Sequence, residues 1–192
     1  MRSERTRTLV SRREILKGCA CALAAPIVLR ATPTRGNDLR MGATAPPATL
    51  FTLDGKRIST PQLLGRVVIL SFWATWCEPC REELPLVSRY ADRHSDAGLT
   101  VLGFSLDPPD KLPEVNRVAQ TLSFPVGLLA HSSTSGYGRI WRLPVNFTID
   151  RAGHLVVDGW KEKHPSWTAE RLEQVVTPLL AGRNGRDENG KL

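Results

Sequence analysis

The run Val67-Val68-Ile69-Leu70-Ser71-Phe72, rich in β-branched residues, leads almost directly into Trp76-Cys77-Glu78-Pro79-Cys80. An apolar run of this kind suits a strand covered on both faces. From Cys77 onward Leu84, Val87 and Tyr90 recur at helical spacing, so the chain is predicted to pass from strand to helix through a pair of thiols. Two cysteines spaced by two residues at a helix start put the first among unpaired backbone amides, where the helix dipole stabilises a thiolate. The second lies one turn inside, close enough to close a disulfide with the first. This is redox equipment, and it fixes one corner of any fold the chain adopts.

Residues 1–31 stand apart from that corner. Ser11-Arg12-Arg13-Glu14-Ile15-Leu16-Lys17 resembles the twin-arginine export signal, and a short apolar stretch over 18–29 follows it. That stretch is about half the length needed to span a bilayer as a helix. Of the formal net charge of +7, five units belong to 1–31 and two to the remainder. Most of the basicity would therefore leave with a cleaved leader, and no basic patch argues for nucleic acid. Cys19 and Cys21 also lie in the leader, while Cys77 and Cys80 stand alone beyond it. One adjacent pair is not a disulfide scaffold. A lipid anchor on Cys19 or Cys21 is disfavoured by Lys17 just before Gly18-Cys19 and by the position of both cysteines at the start of the apolar stretch.

Three further segments are expected. Residues 32–41, with Pro, Gly, Asn and Asp, read as a flexible linker, and 183–192, with almost nothing apolar to bury, as a disordered tail. Between them 42–182 is one domain's worth of chain. Within it a second strand is expected over 99–106, stopped by the turn Asp107-Pro108-Pro109-Asp110, and a second helix carrying Val115, Val118 and Leu122 after Pro113. An extended stretch over 124–129 follows, then strands over 145–150 and 155–160 joined by Arg151-Ala152-Gly153, a hairpin signal. Leu172, Val175, Val176, Leu179 and Leu180 form the apolar stripe of a last helix, with Gly182 past its end. Parallel strands first and an antiparallel hairpin last make an α/β fold, a central mixed β-sheet flanked by helices.

The strand, Phe72-Trp73-Ala74-Thr75-Trp76-Cys77-Glu78-Pro79-Cys80, helix, strand, helix, Pro144, hairpin, helix order resembles the TlpA/ResA-like thiol-disulfide oxidoreductases of thioredoxin fold. Supporting pieces are Gly42-Ala43-Thr44-Ala45-Pro46, Leu53-Asp54-Gly55-Lys56, Gly65-Arg66-Val67-Val68, Leu84-Pro85 and Phe147-Thr148-Ile149-Asp150. The resemblance implies a thioredoxin-like three-layer sandwich. It also implies a carboxylate role for Glu83 in thiol ionisation and proton transfer, with Glu82 left on the surface. Pro144 would be the cis-proline beside the Cys-x-x-Cys, holding the backbone of Leu143 open to an extended substrate segment. Two departures stand out. Thioredoxins carry a buried Asp six residues before the first cysteine, where this chain has Ser71, and the usual Thr pair after the proline is Val145-Asn146. Those two residues are expected to border the partner's peptide.

From the residues themselves, Cys77 is expected to attack and Cys80 to resolve the mixed disulfide. Glu78 and Pro79 would tune the pair, since a carboxylate beside a thiolate raises the thiol pKa and favours a reductant, while Pro79 fixes φ and removes a donor. Trp76 is expected on the contact surface, and Trp73, Trp141, Trp160 and Trp167 in core or edge packing. The redox group is the Cys77–Cys80 disulfide itself, with no further cofactor. His94, His131, His154 and His164 form no pair at metal-ligand spacing, so no metal is expected.

The leading reading is an exported, periplasmic oxidoreductase, monomeric, reducing protein disulfides and fed by a membrane thiol donor. It would be membrane-tethered if the signal stays attached, and cytochrome c maturation is the role the resemblance most often implies. The alternatives are a thiol oxidant or isomerase, and a copper chaperone that would need His131 or His154 brought beside the thiols. Peroxide reduction would need Thr three residues before the cysteine and an activating Arg, a surrounding absent from the sequence around Cys77.

Overall fold

A computed structural model describes residues 39–182. The readings of 1–31 as an export signal and of 183–192 as a tail lie outside the described residues. Of the expected linker, Leu39 is buried against the sheet, so folded structure begins ahead of Gly42.

The strands are β1 (Thr49–Phe51), β2 (Arg57–Ser59), β3 (Val67–Trp73), β4 (Leu99–Ser105), β5 (Val126–Leu128), β6 (Val145–Ile149) and β7 (Leu155–Val157). The helices are α1 (Glu78–His94), α2 (Leu112–Ala119) and α3 (Ala169–Leu180). Five strands form one sheet in the order β5-β4-β3-β6-β7, with β3, β4 and β5 parallel and β6 and β7 antiparallel to their neighbours. β1 and β2 form a separate two-stranded antiparallel sheet, and Thr49 of β1 also bridges to Ser133. Neither strand of that hairpin is legible in the sequence, because three residues are too few to display a period.

Every residue of β3 is buried, and alternation sorts them onto two faces. Val67, Ile69 and Trp73 join one core cluster with Leu84, Val87 and Tyr90 of α1, Val115 of α2, and Leu172, Val176, Leu179 and Leu180 of α3. Val68, Leu70 and Phe72 join the other with Phe104, Phe147 and Tyr137, beneath Ala48 and Leu50 of the β1 segment. Phe72 is the hub of that aromatic face, its ring stacked at 5.0 Å on Phe104 and edge-on at 5.8 Å to Phe147.

Several elements end earlier than expected. α2 stops at Ala119, leaving Leu122 in the following turn, and β7 stops at Val157, so Asp158 and Trp160 belong to a loop. That loop is fixed by tertiary bonds, among them Trp160 Nε1–H to the Tyr137 carbonyl at 2.7 Å.

Candidate active site

At the end of β3 the Trp73 carbonyl accepts from Leu106 N–H at 2.8 Å, and the chain turns through Ala74, Thr75 and Trp76 into α1, whose N-cap is Cys77. Asp107 holds this turn. Expected as a simple turn residue, it is buried, and its carboxylate accepts from Thr75 N–H at 2.8 Å, the Thr75 hydroxyl at 2.6 Å and the Ser105 hydroxyl at 2.8 Å. A buried carboxylate persists only with such donors. The sequence signal was an Asp closing an apolar strand, which a turn explains equally well.

Cys77 and Cys80 are joined, with Sγ–Sγ 2.01 Å and Cα–Cα 5.3 Å. Cys77 keeps 5% exposure and Cys80 none, so only the first sulfur is open to an outside thiolate. Cys77 Sγ accepts from the Cys80 backbone N–H at 3.3 Å, one of the free amides of the first turn. Glu78 and Pro79, both exposed, form that turn; a proline there costs no helix bond, since its missing N–H would be unpaired anyway.

Glu83, one turn past Cys80 on α1, is 3% exposed, whereas Glu82 faces outward. Burial pushes its carboxyl up to about 7, against the opposing pull of hydrogen bonds from Asn146 and Trp167 and of the Arg171 charge. Its oxygens accept from Asn146 Nδ2–H at 3.1 Å and Trp167 N–H at 2.8 Å. Asn146 therefore does not border a partner's peptide. It is 2% exposed, faces the helices, and also donates to the Pro165 carbonyl at 3.1 Å; Val145 beside it is fully buried on the opposite face. Across the β3–β6 ladder Asn146 stands opposite Ser71, whose buried hydroxyl has no partner among the described residues.

The Leu143–Pro144 bond is cis, and Leu143 makes no backbone hydrogen bond among the described residues. Leu143 lines a cleft of about 640 Å³ together with Trp76, Cys77, Glu78 and Pro79, and with Leu106, Arg139, Ile140, Trp141 and Arg142. Trp76 is 68% exposed at its edge. Trp141, expected in core or edge packing, is 72% exposed in the same cleft, because its ring stacks on Trp160 at 5.6 Å instead of entering the sheet. Trp73 and Trp167 are core residues.

Among the described residues no three His, Cys, Asp or Glu side chains gather in a way that could hold a metal ion; His154 pairs with Asp150 at 3.5 Å. Three residues before Cys77 stands Ala74.

Comparison with known proteins agrees with this geometry. The AhpC/TSA family profile matches residues 41–157. The thiol-disulfide oxidoreductases ResA of Bacillus cereus and Bacillus thuringiensis are 31% and 32% identical to the chain over 144 residues, covering 73% of it and 80% of each relative. A thiol:disulfide interchange protein of the thioredoxin family from Chlorobium tepidum superposes with a TM-score of 0.60 at 27% identity, over 74% of this chain and 99% of that one. By this profile and these identities the chain belongs to the AhpC/TSA family as one of its ResA-like, thioredoxin-fold thiol-disulfide oxidoreductases.

Proposed function

We propose that the chain works after export as a reductant of protein disulfides. The observation that carries the direction is the pair of carboxyl groups at the thiols: Glu78 directly beside Cys77 and Glu83 buried one turn beyond Cys80. Negative charge at either position opposes a thiolate, which disfavours the dithiol form and makes the pair more reducing.

In the reduced protein the Cys77 thiolate attacks one sulfur of a substrate disulfide, forming a mixed disulfide and releasing the other substrate sulfur as a thiolate that takes up a proton. Cys80 then loses its proton and attacks the Cys77 sulfur. The Cys77–Cys80 disulfide forms, the second substrate thiol leaves, and two electrons and two protons have passed to the substrate. We assign Glu83 the proton of Cys80, since a carboxyl poised near neutrality can take it and hand it on. Leu143, whose backbone makes no hydrogen bond among the described residues, would pair with the substrate segment as an added strand does. Restoring the dithiol requires a thiol donor, for which a membrane protein is the natural source in an oxidising compartment. Maturation of cytochrome c, whose precursor thiols must be kept reduced, is the pathway this activity would suit.

The test is the reduction potential of the pair, equilibrated against defined thiol buffers. A value at or below roughly −220 mV is expected, and one near −120 mV would make the protein an oxidant. Export rests on Arg12-Arg13 and its setting. Replacing both by Lys is expected to leave the protein in the cytoplasm, and undiminished export would remove the twin-arginine reading.

A further inference from the structure

Trp141 is an exposed indole with a specific arrangement behind it. Its ring is nearly parallel to that of Trp160, with 9° between planes. The Arg142 guanidinium lies 5.6 Å from the Trp141 ring and 5.8 Å from the Trp160 ring. Arg142 is held by the carbonyls of Gly159, Trp160 and Glu162, none of which neutralises it, while the Glu162 carboxylate itself pairs with Arg171 at 2.8 Å. The result is a rigid aromatic plate carrying positive charge.

The plate stands at the redox site. Trp141 and Arg139 line the cleft that holds Cys77 and Leu143, and the same two residues line a second depression that continues past Trp160 to Lys161. Arg139 is exposed and has no carboxylate partner among the described residues. Of the residues that line the cleft two are arginines, Arg139 and Arg142, and one is acidic, Glu78. Two exposed indoles, Trp76 and Trp141, bound the groove and offer rigid apolar area that loses little conformational freedom on binding.

We infer that Trp141, backed by Trp160 and flanked by Arg139 and Arg142, is a specificity subsite that receives an acidic side chain adjoining the reactive cysteine of an extended protein substrate. The substrate backbone runs along Leu143, its disulfide sulfur meets Cys77, an apolar part of the segment lies on the Trp141 ring, and its carboxylate meets Arg139. This deepens the oxidoreductase reading and rests on it. The reverse preference is disfavoured, because a basic segment would meet unneutralised arginines in a partly desolvated groove.

The test uses the reduced full-length protein and two disulfide-linked peptides identical except for Asp or Lys beside the cysteine. At low salt kcat/KM for the Asp peptide is expected to exceed that for the Lys peptide by about tenfold or more, mostly through KM, with the ratio shrinking as salt rises. Because the readout is a ratio within each protein, a general loss of activity in a variant leaves it interpretable. Arg139→Glu is expected to invert the ratio, and Trp141→Ala to raise KM for the Asp peptide while compressing the ratio toward one. Equal rates for the two peptides in the unaltered protein, or a ratio unmoved by both variants, would overturn the subsite while turnover of a small symmetrical disulfide continued. If the unaltered protein turned over neither the peptides nor the small disulfide, the underlying activity would be wrong and the subsite would go with it.

Discussion

At Glu83 desolvation outweighs three favourable interactions, and the carboxyl sits at about 7 in the folded protein against an ordinary 4.5. Between those values the folded state keeps a proton that the unfolded chain has lost. Stability from this group is therefore complete below about pH 4.5, falls as pH rises, and levels off above about 7. The full drop is about 3 kcal/mol. In the oxidised protein, where neither cysteine titrates, Glu83→Gln should remove about that much of the difference between urea unfolding at roughly pH 4.5 and 7.5. An unchanged difference would mean that the carboxyl ionises freely. In the reduced protein the same variant should shift the thiolate titration of Cys77. In the sequence Glu83 is set apart from Glu82 by its place on the helix and by the family resemblance, but the partners of its carboxylate, Asn146 and Trp167, come from far along the chain and are supplied only by the fold.

The active-site corner is an assembly of elements, joined where β3, β4 and α1 meet. Asp107, just past β4, holds the loop that presents Trp76 and Cys77. Asp107→Ala leaves the Thr75 N–H and two hydroxyls without their acceptor in a buried setting, at a cost of about 3 kcal/mol in denaturant unfolding, whereas Thr75→Val should cost about 1 kcal/mol. A surface-like loss of a few tenths for Asp107→Ala would show that the loop holds itself. The strand and helix either side of the cysteines were legible because their periods are long and clean. The β1–β2 hairpin was not, and its docking depends on contacts between distant residues: at Gly127 of β5 an added Cβ would lie 2.0 Å from the Phe51 carbonyl. Only a glycine lets the hairpin come so close, and no local pattern around Gly127 announces it.

Across the whole molecule, Arg151 in the β6–β7 turn ties three separate segments, donating to the carbonyls of Gly65 at 2.6 Å, Ala97 at 2.7 Å and Leu180 at 2.9 Å. Arg151→Ala should lower stability by about 2 kcal/mol, seen as a thermal midpoint several degrees lower. Arg151→Lys should recover less than half of that, since one ammonium lacks the planar fork that reaches three acceptors. A midpoint unmoved by both variants would show that solvent serves those carbonyls equally well. The tie explains why Arg151-Ala152-Gly153, legible in the sequence as a hairpin connection, is also where the β2–β3 loop, the end of α1 and the end of α3 converge. Local turn chemistry identifies the connection, but the partners of its side chain come from three places in the chain.

What the sequence determined by itself was whatever rests on local periodicity and covalent spacing. The buried strand before Cys77, the helix that starts there, the distance over which Cys77 and Cys80 can join, the last helix and the parallel-then-antiparallel order all follow from neighbours along the chain. Tertiary structure decided which polar groups are buried and what they face. Asp107 became a clamp, Asn146 turned inward to Glu83, and Trp141 turned outward onto Trp160. The reason is physical: desolvation, hydrogen-bond partnership and stacking are set by atoms far away in sequence, and a residue's own type fixes only what it would cost to leave those needs unmet.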